Sequence, residues 1–95
     1  MIKININKDK IVIEGHSGYS EAGSDIVCAS VSSIAITSVN SILKYDEDAL
    51  KYESNDGYLE INILKHNEII DLLIENMIEM LKELQTQYKN YIKIN

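Results

Sequence analysis

The stretch "EGHSGYSEAGSDIVCASVS", Glu14 to Ser32, sets His16 and Cys28 twelve residues apart, with Gly15, Gly18, Gly23 and Asp25 around them. A thiol and an imidazole within hydrogen-bond reach form a nucleophile and its base: the ring takes the thiol proton and the thiolate attacks a carbonyl. Cys28 falls in the first turn of a helix predicted to start after Ser24 or Asp25. There the unpaired amides and the helix dipole favour a thiolate. Asp25 is available to orient the imidazole, but a helix N-cap is its plainer role and the preferred one. Each residue also has a bland reading. An unpaired cysteine is often a small buried hydrophobe, and a lone histidine at a strand end is often solvated.

Other chemistries fit less well. His16, Asp25 and Cys28 lack the two- or three-residue ligand spacings of a metal site, and His66 is far away in sequence. The glycines form neither a dinucleotide fingerprint nor a phosphate loop. No metal or other cofactor is expected.

Isoleucines 2, 4 and 6 alternate with polar residues, and Ile11 and Ile13 resume the alternation after "NKDK", which predicts a hairpin. A second hairpin is expected around Asp56-Gly57, with Leu50 and Tyr52 before it and Leu59, Ile61 and Ile63 after it. Between the hairpins, a helix to about Leu43 gathers Val27, Val31, Ile34, Ala35, Val39 and Ile42 on one face, with Ser30, Ser33, Thr37, Asn40 and Ser41 opposite. It has no charge from Ile26 to Leu43, so a mostly buried central helix is expected, its polar strip covered by a second copy in a homodimer. Asn67 caps a second helix to about Tyr88, and "YIKIN" returns to a strand pattern. The result is β-β-α-β-β-α-β, an α+β single domain over residues 1–95 with a five-stranded mixed sheet and two helices. Residues 17 to 24 make a long strand-to-helix link with two interior glycines, read as a lid over Cys28.

The chain has 95 residues, a net charge of −6 and no arginine, which argues against a nucleic-acid surface. With one cysteine it cannot rest on an intrachain disulfide, which suits a reducing cytoplasm. Neither the amino terminus nor "IIDLLIENMIEML", which carries three acids, reads as a membrane span.

The segment "GHSGYSEAGSDIVCASVS" resembles the signature of the ribosomal-processing cysteine protease family, Prp, in which a Gly-His pair, a Gly-rich loop and an Asp-Ile-Val-Cys-Ala segment follow one another. The resemblance is dense over Gly15 to Ser32 and loose elsewhere. It implies a cysteine endopeptidase that removes a short amino-terminal extension from a large-subunit ribosomal protein precursor. Cys28 would be the nucleophile and His16 the base, with Gly15, Asp25 and Ser32 at other motif positions. Ser17 stands where alanine is common in the family. The resemblance also implies a homodimer, cleavage after an aromatic residue, and so a hydrophobic pocket near Cys28. The competing reading is a non-catalytic module that binds ribosomal protein and has a structural cysteine.

Overall fold

The structure is a computed structural model and describes residues 1–21 and 25–95. Seven elements follow in the expected order: β1 (Ile2–Ile6), β2 (Lys10–Glu14), α1 (Ile26–Tyr45), β3 (Leu50–Asn55), β4 (Tyr58–Ile63), α2 (Glu68–Gln87) and β5 (Ile92–Ile94). The five strands form one mixed sheet in the order β3-β4-β2-β1-β5. β1 and β5 run parallel, and every other neighbouring pair is antiparallel.

Register follows from the period-two isoleucines. Ile4 lies opposite Ile13, Ile11 opposite Ile61, and Ile2 opposite Ile92, so these isoleucines share one face of the sheet. Ile4, Ile11 and Ile61 are fully buried there. Both helices complete the same core, α1 with Val27, Val31, Ala35, Val39 and Ile42, and α2 with Ile70, Met77 and Leu81. On the opposite face Lys10 pairs with Glu60, which also accepts from Tyr58 and Asn62.

The helix ends obey their capping residues. Asp25 is the N-cap of α1, its carboxylate accepting from the amides of Val27 and Cys28, while Ser24, the other candidate, lies outside the described residues. Asn67 caps α2 by accepting from Ile70 N at 2.9 Å, and Glu68 and Asp71 sit in the first turn, where the dipole favours acids.

One expectation needs correction: α1 is not mostly buried. Ile26 and Ile36 are 51% and 50% exposed, and Ser33, Thr37, Asn40 and Ser41 face outward. The two helices lie side by side on one face of the sheet, so each hides only the stripe toward the sheet and its neighbour. Hydroxyls on the outer side are satisfied within the helix, Ser30 donating to the Ile26 carbonyl and Ser41 to that of Thr37. By length and composition alone α1 would also suffice to cross a membrane, but its apolar stripe is used in this core.

Away from α1, the second histidine holds three segments together. His66 Nδ1 meets Asp71 Oδ1 at 2.8 Å and Nε2 meets Asp9 Oδ1 at 2.6 Å, tying the β1–β2 turn to the start of α2. Asp71, then Asp9, raises the His66 pKa above its ordinary value, against a smaller opposing effect of desolvation.

Candidate active site

His16 and Cys28 reach the site from different elements. The β2–β4 ladder pairs Glu14 with Tyr58, and the next rung is a hydrogen bond from Gly15 N to Gly57 O at 2.8 Å. The chain leaves the sheet immediately afterwards, at His16. Gly15 has φ +96°, and a Cβ on it would lie 2.5 Å from the Met1 carbonyl oxygen, so no side chain fits where β1 begins.

Ser17 links the strand end to the helix start. It is buried, and its N–H donates to Cys28 Sγ at 3.4 Å. Its hydroxyl donates to Asp25 Oδ2 and accepts from Tyr19 N at 3.1 Å. The other oxygen of Asp25 accepts from Val27 N and Cys28 N, each at 3.0 Å. The Ser17 hydroxyl, followed by the Cys28 amide, lowers the Asp25 pKa below the ordinary carboxylate value. The Cys28 thiol and Val27 amide add to this, and desolvation opposes it. Among the described residues Asp25 therefore caps α1 and grips Ser17.

A cavity of ≈ 200 Å³ lies between the end of β2, the first turns of α1 and the β3–β4 hairpin. His16, Cys28, Gly15 and Ser32 all line it. Ser32 stands one helical turn after Cys28 and is exposed, while Asp25 is outside the lining. Ile13, Val31, Ala35, Ile36 and Leu59 give the wall its apolar part, and Asn55, Asp56 and Gly57 come from the hairpin.

Of the link from Ser17 to Ser24, read as a lid, residues 22–24 lie outside the described residues. The described part is anchored: Ser17 by its hydrogen bonds, and Tyr19 by edge contacts with the rings of Tyr88 and Tyr91, at centroid distances of 5.8 and 5.2 Å. Sequence reasoning misses two site residues. Ser17 looks there like a minor departure from alanine, although its place beside His16 is a signal. Gly57 looks like a turn residue only, yet it lies against the His16 ring.

The model of the family described as cysteine protease Prp matches residues 1–93. The chain belongs to the Prp family. It is 30% identical over 88 residues to the ribosomal processing cysteine protease Prp of Staphylococcus aureus, covering 90% of this chain and 83% of that one. The Mycoplasma genitalium Prp is 28% identical over 97 residues, covering 100% and 95%. A crystal structure of the essential S. aureus ribosomal processing protease Prp with a covalently linked product peptide superposes with a TM-score of 0.88 at 26% identity, covering 99% and 95%. Prp membership makes this chain a cysteine protease, so the reading as a non-catalytic module falls away. The α+β fold of five strands and two helices is that of Prp.

Proposed function

We propose that this chain is a cytoplasmic, single-domain endopeptidase, active as a homodimer. Its substrate would be a large-subunit ribosomal protein precursor, from which it removes the amino-terminal extension. Cys28 is the nucleophile and His16 the general base. The observation that carries this reading is the cavity that both side chains line, with an amide N–H aimed at the sulfur. Cys28 is also the one cysteine in 95 residues, so a cysteine protease made of these residues has no other thiol to use.

The chemistry follows from the contacts. His16 accepts the thiol proton, the sulfur attacks the scissile carbonyl, and the imidazolium returns the proton to the departing amine; water then hydrolyses the thioester. The amides of Val27 and Cys28 at the helix start are engaged by Asp25, so they are not the donors for an oxyanion. The amide facing the sulfur is that of Ser17, and it stabilises the thiolate. The apolar wall of Val31, Ala35 and Ile36 suits an aromatic side chain beside the cleaved bond.

The ribosomal substrate is supported by the names of the relatives, and the charge of −6 favours encounter with a basic protein. The test is incubation with a peptide spanning the precursor's cleavage point, read by mass spectrometry, together with alkylation of Cys28 near neutral pH. Specific cleavage and fast alkylation are expected. An intact peptide and an unreactive thiol would refute the assignment.

A further inference from the structure

We propose that Gly57, at the tip of the β3–β4 hairpin, is a positioning residue for His16: the imidazole lies in the space that a side chain at position 57 would fill. This deepens the dyad reading above and rests on it.

A Cβ built on Gly57 would sit 2.8 Å from His16 Nε2, 3.1 Å from Cε1 and 3.4 Å from Cδ2. These three atoms form the outer edge of the ring, so the missing side chain and the imidazole occupy one volume. No backbone atom is as close, so under a new Cβ the ring gives way first. The backbone fixes the juxtaposition. Gly15 N bonds Gly57 O at 2.8 Å, which sets residue 57 one rung from His16, and Asn55, Asp56 and Gly57 share the cavity wall with His16 and Cys28. The turn thus acts as a floor under the ring and limits the rotamers from which it can reach the sulfur. A base displaced by about 1 Å loses on the order of 100-fold in rate.

Gly57 also has φ +67°, and this could by itself demand glycine. The two accounts separate cleanly. Asparagine tolerates the left-handed region far better than alanine does, but carries the same Cβ. Backbone strain therefore predicts that Gly57→Asn recovers what Gly57→Ala loses, whereas the ring contact predicts that both lose catalysis.

The experiment compares wild type, Gly57→Ala, Gly57→Asn and His16→Ala. It measures melting temperature, kcat and KM on a peptide with an aromatic residue before the scissile bond, and the histidine ring resonances through a pH titration. His66, the other histidine, is the internal reference. Both Gly57 variants are expected to lose about 10–100-fold in kcat with KM within about threefold, and to shift the His16 resonances but not those of His66. Gly57→Asn should melt higher than Gly57→Ala without regaining kcat; should Gly57→Ala fail to fold, Gly57→Asn alone decides. Wild-type kcat in Gly57→Asn, or unmoved His16 resonances in either variant, overturns the inference. Full cleavage by His16→Ala would sink the dyad itself, and the resonances would still report on the contact.

Discussion

Replacing Cys28 by alanine or serine is expected to abolish peptide cleavage and leave the fold intact, since a small half-buried side chain changes and the Asp25 cap stays. Circular dichroism beside a mass-spectrometric assay checks both halves. Asp25 separates capping from charge. An asparagine in its place would retain an oxygen for the amides of Val27 and Cys28, so Asp25→Asn should melt closer to wild type than Asp25→Ala. The carboxylate's lowered pKa fixes the sign of its pH dependence. Its contribution to stability is complete above the ordinary value of 3.8 and fades as pH falls through the lower folded value. An activity loss in Asp25→Asn with unchanged melting would assign the carboxylate to His16 instead. At this scale the sequence was legible where the logic was local: a cap sits within a turn of the amides it serves, and a cysteine in a first turn is visible in one dimension. The role of Gly57 was illegible, because its partner is distant in sequence and meets it only through the β2–β4 register.

Among the elements, the strands could be read from alternation and the helices from their caps, while packing could not. The uncharged run from Ile26 to Leu43 implied a mostly buried helix, but two helices sharing one face of a sheet leave each an outer side. Leu81 tests the packing from α2. It is fully buried, and Leu81→Ala should cost about 2–5 kcal/mol, measurable by urea unfolding. The His66 bridge makes a pH prediction of opposite sign to Asp25. A raised folded pKa means that its stabilisation is complete below pH 6.5 and is lost as pH rises through the folded value. Wild type should therefore lose melting temperature relative to His66→Gln as pH climbs from about 6 toward about 9. Parallel curves for the two proteins would show that the bridge contributes nothing.

For the whole molecule, the proposed dimer makes the outer strip of α1 a contact surface. Thr37→Glu puts an acid into a strip that has none, and across a two-fold axis it faces its own copy or lies near it. Sedimentation at micromolar concentration should show wild type as dimer and Thr37→Glu as monomer; equal sedimentation would reject that surface. The pairing of β1 with β5 has a different consequence, one of timing. Ile2 N reaches the Tyr91 carbonyl, Ile6 N that of Asn95, and Asn95 N that of Ile4. Residues 1–59 supply every lining group of the cavity, yet the strand whose Met1 carbonyl crowds Gly15 gains its outer neighbour only from residues 91–95. Chains elongate at about 5–20 residues per second, so β5 follows the last residue of the cavity lining by a few seconds of synthesis. The sheet edge beside the cavity is thus closed by β5, the last strand to be translated, well after the residues that line the cavity.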